Sequence, residues 1–101
     1  MQRATLTVLT GVPQAGQVLV ISGLPITIGR AADADLVIDD PGVSEQHARV
    51  WRLPGSGFSI VDLGSTSGTF LGANRVGVAL LRNGDLVRLG PSAQLRFAII
   101  D

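Results

Sequence analysis

Apolar and polar residues alternate with a period of two along most of this 101-residue chain. Successive side chains of a β-strand point to opposite faces, so this alternation is typical of strands that bury one face and expose the other. The strand-like runs are residues 5–8, 18–21, 26–28, 48–53, 58–61, 86–89 and 95–99. The glycines and prolines cluster between these runs, chiefly at residues 11–13, 23–25, 41–42, 54–57 and 90–91. Turn residues at this spacing predict an all-β sandwich or barrel.

Two segments carry more specific predictions about local structure. Asn83-Gly84 predicts a two-residue hairpin turn, because both residues tolerate a positive φ. Residues 40–51 are ambiguous, since their large or apolar side chains recur at helical spacing and Asp40 is a candidate N-cap. The β-favouring residues near the end of the same segment predict a strand from Ala48 onward. The local pattern leaves helix and strand open here.

Length and composition exclude several classes of protein. The length predicts one domain over residues 1–101, and the absence of cysteine excludes a disulfide framework and thiol catalysis. Eight arginines balance eight acidic residues, so no bulk charge attracts nucleic acid or anionic lipid. The apolar runs are far shorter than the ~18 residues of a membrane span, and the first residues alternate instead of forming a signal peptide. We therefore expect a cytoplasmic protein with no nucleic-acid partner and no membrane insertion.

Glycine, hydroxyl and basic residues concentrate in three loops that follow strand-like runs. These loops are Gly29-Arg30, residues 44–47 and residues 64–69. If they meet at one end of a sandwich, they supply a guanidinium group, hydroxyls and free backbone N–H groups to one place. Such donors suit an oxyanion, and a phosphate with its three strong acceptor oxygens is the expected ligand.

The order and spacing of these segments resemble the forkhead-associated (FHA) phosphopeptide-binding domain. The resemblance covers most of the chain, with its core motif region at residues 26–90, and it is carried by residues 26–30, 35–38, 43–48, 62–69, 81–85 and 89–90. It implies a β-sandwich of about eleven strands whose loops at one end bind phosphothreonine peptides. It also implies that residues 40–51 form a loop followed by a strand.

The resemblance implies a role for particular residues of the three loops. Arg30 is expected to grip the phosphate, Ser44 to donate its hydroxyl to it, and Thr66 to make a second contact with the phosphothreonine. The family histidine corresponds to His47, which is expected to brace the binding loops instead of touching the ligand. Glycines are expected to let these loops turn, at Gly29, Gly64 and Gly68.

The sequence departs from the family pattern at three places. Ser67 stands where the family usually has an asparagine that holds the main chain of the peptide, and serine offers fewer donors and acceptors. Glu45 occupies a position that often contacts phosphate, and a carboxylate there would repel a dianion if it pointed inward. Residues 72–74 replace the family's usual Asn-Gly, so we expect a rebuilt turn.

Other functions have weaker sequence support. Gly64 and Gly68 are reminiscent of a P-loop, but the lysine and the following helix of that motif are missing. Ser44 with His47 suggests a hydrolase triad, yet no Gly-x-Ser-x-Gly elbow accompanies them. A set of aspartates lacks the spacing of a calcium loop and is better explained as loop caps: Asp33, Asp35, Asp39 and Asp40. The hydroxyls of Ser44 and Thr66 have the same structural alternative, because such residues commonly cap turns.

The sequence as a whole predicts a non-enzymatic phosphothreonine reader without a cofactor or metal. Its expected partner is a phosphothreonine-containing protein or the Ser/Thr kinase that phosphorylates it, and no oligomeric state is assigned. The alternative is a degenerate FHA fold that acts as a phosphate-independent interaction or self-association scaffold. Glu45 and Ser67 are the residues that support this alternative.

Overall fold

The computed structural model describes residues 2–9 and 12–101, so Gly11 of the predicted 11–13 turn lies outside the described residues. Within those ranges the chain forms eleven strands and no helix, and hence no helix with the length and apolar character to cross a membrane. The prediction of an all-β fold of about eleven strands is confirmed. The strands are β1 (Ala4–Val8), β2 (Val18–Ile21), β3 (Ile26–Gly29), β4 (Leu36–Val37), β5 (Ala48–Arg52), β6 (Phe58–Asp62), β7 (Thr69–Leu71), β8 (Asn74–Val76), β9 (Val78–Leu81), β10 (Leu86–Leu89) and β11 (Ala93–Ile99).

The strands form two sheets that pack face to face. One sheet has six strands in the order β2-β1-β11-β10-β7-β8, and the other has five in the order β4-β3-β5-β6-β9. The short β3–β4 pair is parallel, whereas the neighbouring β3–β5 pair is antiparallel. The chain passes from the edge of the six-stranded sheet to the edge of the five-stranded sheet at Gly77, between β8 and β9.

The core lies between the sheets and follows the two-residue alternation. In β1 and β11 the inward residues are fully or almost fully buried: Ala4, Leu6, Val8, Ala93, Leu95 and Phe97. Phe58 of β6 meets Phe97 across the sandwich, with ring centroids 5.4 Å apart and planes at 63°. Burying each large apolar side chain contributes roughly 1.5–3 kcal/mol, so this packing gives the loops a rigid base.

The register of the strands places several connections at one end of the sandwich. Ile28 lies opposite Ala48, which lies opposite Asp62, and Thr69 lies opposite Leu89 in the other sheet. The end of the sandwich beyond these residues is here termed the loop end. It carries the connections at residues 30–35, 38–47, 63–68 and 90–92.

Two local predictions are settled by the fold. Residues 40–51 form a loop followed by β5, as the family resemblance implied. The hairpin predicted at Asn83-Gly84 is wrong, because β9 and β10 belong to different sheets. The turn there is closed by the Asp85 N–H, which donates to the Arg82 carbonyl at 3.0 Å, and only Gly84 has a positive φ. The turn therefore joins β9 of one sheet to β10 of the other, instead of joining two paired strands.

Candidate functional site

The first two loops of the site cross each other directly after β3. The Arg30 N–H donates to the Ser44 carbonyl at 3.0 Å, and the Ala31 N–H donates to the Glu45 carbonyl at 3.2 Å. A Cβ on Gly29 would lie 2.8 Å from the Glu45 carbonyl carbon and still closer to its oxygen. Gly29 has no positive φ, so the glycine is needed for close contact between the loops instead of for a turn.

Four of the five predicted binding residues meet in one cleft at the loop end. The cleft has a volume of about 180 Å³ and is lined by Arg30, Pro41, Gly42, Val43, Ser44, Thr66 and Ser67. Glu45 is exposed and does not line the cleft. The lining therefore contains a guanidinium group and three hydroxyls, and no carboxylate.

The hydrogen-bond donors of the cleft are held in place, and some of them have no partner among the described residues. The Arg30 Nε donates to the Val43 carbonyl at 3.0 Å, and its terminal nitrogens have no hydrogen-bond partner among the described residues. The Ser44 Oγ accepts the Thr66 N–H at 3.1 Å, which leaves its own proton available for donation. An anion that enters the cleft therefore meets a positioned guanidinium group and a positioned hydroxyl.

His47 ties the loops together beneath the cleft. It is fully buried, its Nδ1 accepts the Ser44 N–H at 3.0 Å, and its Nε2 donates to the Gly68 carbonyl at 2.9 Å. Burial lowers the pKa of His47, because desolvation of the charged ring outweighs the hydrogen bond to Gly68 and the attraction of Asp62. Both ring nitrogens are occupied by the backbone, so the Ser44 hydroxyl has no activated base beside it.

Asp62 organises the β6–β7 loop. One carboxylate oxygen accepts the hydroxyls of Ser65 and Thr69, and the other accepts the N–H groups of Gly64 and Ser65 at 3.1 and 3.0 Å. The Ser65 hydroxyl in turn accepts the Gly68 N–H at 3.0 Å. Burial alone would raise the pKa of Asp62, but the hydrogen bonds from Ser65 and Thr69 outweigh it and lower the pKa. This role was not predicted from the sequence, although an aspartate closely followed by serine is typical of a self-capping turn.

Two cleft residues, Gly42 and Ser67, pack against Gly90, a contact that was not predicted from the sequence. The Gly90 N–H donates to the Gly68 carbonyl at 2.9 Å, which joins the β10–β11 turn to the β6–β7 loop. A Cβ on Gly90 would overlap the Gly42 carbonyl and lie 3.2 Å from the Ser67 Cβ. No local pattern marks this contact, because it joins residues far apart in the chain.

The aspartates of residues 33–40 act partly as turn caps. Asp35 accepts the Thr27 N–H at 2.9 Å, and Asp40 accepts the Gly42 N–H at 2.7 Å. No group of three or more metal-ligating side chains is found in the described ranges. Asp40 therefore caps a turn, as the spacing favoured, whereas Asp35 ties its loop to β3.

An eleven-stranded β-sandwich whose loops bring an arginine and several hydroxyls to one end is a loop-based ligand-binding module. Comparison with known proteins gives the family. The FHA domain model matches residues 26–90, which is well over half of the chain, and the chain belongs to the FHA domain family. The family assignment and the fold predicted from the resemblance are confirmed.

Relatives and solved structures agree with this assignment. The glycogen accumulation regulator GarA of Mycolicibacterium smegmatis is 40% identical over 78 residues, which are 77% of this chain and 49% of GarA. An FHA domain solved for analysis of phosphothreonine-dependent FHA domain interactions is 28% identical, with a TM-score of 0.87 and 98% of both chains covered. EmbR of Mycobacterium tuberculosis, solved with a low-affinity phosphopeptide, is 27% identical with a TM-score of 0.80, over 95% of this chain and 24% of EmbR. The chain spans about half the length of the curated relatives it matches.

Proposed function

We propose that the cleft binds the phosphothreonine of a partner protein and that the domain acts as a non-enzymatic reader in Ser/Thr kinase signalling. The partner is a phosphorylated protein or the kinase that phosphorylates it. Arg30, Ser44, Thr66 and Ser67 are the proposed contact residues. Gly29, Gly64, Gly68 and His47 are proposed to hold the loops that carry them.

The observation that carries this proposal is the set of groups lining the cleft. Arg30 and three hydroxyl residues face the cleft, and the Glu45 carboxylate lies outside it. A phosphate ester carries a charge of about −1.5 to −2 at neutral pH, so a cleft with a guanidinium group and no carboxylate suits it. The phosphopeptide-bound relative and the phosphothreonine-dependent neighbour support the same ligand class.

The bracing of the loops lowers the entropic cost of the proposed binding. Each charge-assisted hydrogen bond to the phosphate contributes roughly 1.5–3 kcal/mol, provided that the loops need no ordering on binding. His47 and Asp62 already fix the backbone on both sides of the cleft through the bonds described above. The Arg30 guanidinium supplies the charge, and the Ser44 hydroxyl donates to a second phosphate oxygen.

The phosphate-independent scaffold has less support than the reader. Glu45 was one of its two sequence arguments, and the exposed position of that residue outside the cleft weakens this argument. Ser67 lines the cleft and can still contact the peptide, although with fewer groups than asparagine. The two functions differ in one measurable respect, which is whether binding depends on phosphate.

The test is fluorescence-anisotropy binding to a degenerate phosphothreonine peptide pool, with phosphoserine and unphosphorylated pools as controls. We expect saturable binding to the phosphothreonine pool, reduced roughly 100-fold in Arg30→Ala and about tenfold in Ser44→Ala. The thermal midpoint should change little in Arg30→Ala, because that exposed side chain makes one hydrogen bond.

Arg82→Ala is the matched control, since it removes the same charge from the β9–β10 turn at the other end of the sandwich. It should leave the affinity unchanged. A well-folded protein that binds all three pools equally, or whose binding survives Arg30→Ala, would favour the scaffold instead.

A further inference from the structure

Two arginines flank an aromatic ring on the outer face of the six-stranded sheet, beside the loop end. Phe70 of β7 lies directly opposite Arg75 of β8 and Arg88 of β10. Residues paired in this way share a face of the sheet, so the three side chains form a row across three strands. The Arg88 guanidinium carbon lies 4.0 Å from the centre of the Phe70 ring, a cation–π contact. Arg75, Phe70 and Arg88 are here termed the cationic row.

The cationic row is continuous with the wall of the phosphate cleft. Arg88 donates through Nη1 to the Gly90 carbonyl at 2.6 Å, and Gly90 packs against Ser67 of the cleft. Arg75 covers Gly68, the residue after Ser67, since a Cβ at Gly68 would lie 2.8 Å from the Arg75 Nε and 3.0 Å from its Cζ. Arg88 therefore lies next to Ser67 through Gly90, and Arg75 lies next to it through Gly68.

The charges of the cationic row are not neutralised by any ion pair in residues 2–9 and 12–101. The ion pair that the structure gives among the described residues joins Arg3 to Asp101. Neither Arg75 nor Arg88 has a carboxylate partner within 4.0 Å in this part of the chain. Arg75 is exposed, and its guanidinium group donates no hydrogen bond to any described residue. A planar guanidinium group with free donors beside a ligand cleft is suited to binding a carboxylate.

We propose that the cationic row is an accessory subsite for an acidic side chain of the peptide that fills the phosphate cleft. This inference rests on the proposed function, and it adds a preference for phosphothreonine peptides with aspartate or glutamate near the phosphorylated residue. Arg75 provides the accessible charge, and Arg88 strengthens it while holding Phe70 and the β10–β11 turn. The domain thus distinguishes partners by charge as well as by phosphate.

The test is a positional scan of one phosphothreonine peptide, in which each flanking position carries in turn aspartate, its isostere asparagine, or lysine. At one or two positions we expect aspartate to bind about threefold tighter than asparagine, as for an exposed ion pair. Added salt should reduce this ratio through screening. Arg75→Gln should abolish the ratio while keeping phosphate-dependent binding, and Arg75→Glu should make lysine the preferred residue at the same positions.

Arg82→Gln is the matched control, because it removes an arginine charge from the far end and should keep the aspartate preference. Thermal unfolding checks that Arg75→Gln is folded, and this variant loses no hydrogen bond among the described residues. Equal affinity for aspartate and asparagine at every position, or a ratio unchanged in Arg75→Gln, overturns the subsite while Arg30-dependent binding stands. Absence of any phosphothreonine binding by the folded wild type overturns both the subsite and the proposed function.

Discussion

The two ends of the sandwich both carry a cleft, and the larger one lies away from the loop end. The cleft at the loop end has a volume of about 180 Å³, whereas the one between the β8 and β9 edges has about 500 Å³. The larger cleft contains the Asp85 carboxylate and several aliphatic side chains, and its lining is Leu71, Gly72, Asn74, Val76, Leu80, Arg82, Gly84, Asp85, Leu86 and Arg96. Its two arginines share the cleft with a carboxylate, and its lining contains no hydroxyl side chain.

The two ends also differ in how their polar groups are used. At the far end the Arg96 guanidinium donates to the Gly84 carbonyl at 2.7 Å, and the Asp85 carboxylate accepts the backbone N–H of Arg82 at 2.8 Å, so one guanidinium group and the carboxylate already bind backbone groups. At the loop end buried His47 and half-buried Asp62 take the bonds to the backbone, and the Arg30 and Ser44 donors stay available. The loop end thus combines a braced backbone with free donors and no carboxylate in its cleft, and these features, not cavity size, support the proposed phosphate site.

The largest expected effect comes from filling the contact between the first two loops. Gly29→Ala places a methyl group against the Glu45 carbonyl, so the loops must separate or the variant must unfold. We expect the free energy of unfolding to fall by about 3 kcal/mol, the upper part of the range for overpacking. Chemical denaturation of both proteins measures this difference.

Gly23→Ala is the matched control at the opposite end of β3. A Cβ at Gly23 meets nothing within 4 Å, and Gly23 has no positive φ, so the change should stay within about 0.5 kcal/mol. Equal effects of the two substitutions would contradict the claim that the loop end is the more tightly constrained region.

A smaller effect is expected from the ionisation of His47. Because its pKa is lowered in the folded state, the unfolded chain takes up the proton first as the pH falls through the ordinary histidine pKa of 6.5. Stability is therefore fully present above that pH and declines below it, until the folded-state pKa is also passed. The slope is at most about 1.4 kcal/mol per pH unit for one proton.

Urea unfolding between about pH 7 and about pH 5.5 measures this slope. His47 is the chain's single histidine, so His47→Gln is a clean control and should lose the decline over this range. A slope shared by both proteins would show that other groups cause it and that His47 takes up its proton as readily in the folded protein as in the unfolded chain, which contradicts its lowered pKa.

Much of the fold follows from the sequence where strands have one buried face. The runs that became β1, β3, β10 and β11 alternate clearly, and the predicted runs correspond to strands. The pattern fails for the two-residue β4 and the three-residue β7 and β8. It also fails for β9, where Val78 and Leu80 are exposed while Leu81 is buried. An edge strand that is apolar on both faces shows no alternation, so periodicity does not reveal it.

Only the site residues that belong to short sequence motifs could be predicted. The family resemblance located Arg30, Ser44, Thr66 and Ser67, which do meet in one cleft. It missed the contact of Gly42 with Gly90, because that contact joins the two sheets and depends on packing. The cationic row was missed for the same reason, since strand register alone brings its members together.

The smallest expected effect is that of removing the Glu45 charge. This substitution tests whether the Glu45 carboxylate stays outside the cleft. Its neighbour Ser44 lines the cleft while Glu45 is exposed outside it, so its charge is screened by water. Glu45→Gln should therefore change phosphopeptide affinity by less than about twofold, measured by the same anisotropy assay at physiological salt. An affinity gain of about tenfold or more, equal to about 1.4 kcal/mol, would mean that the carboxylate turns inward and opposes the phosphate. The loop end would then resemble the far end, where a carboxylate also shares the cleft with arginine.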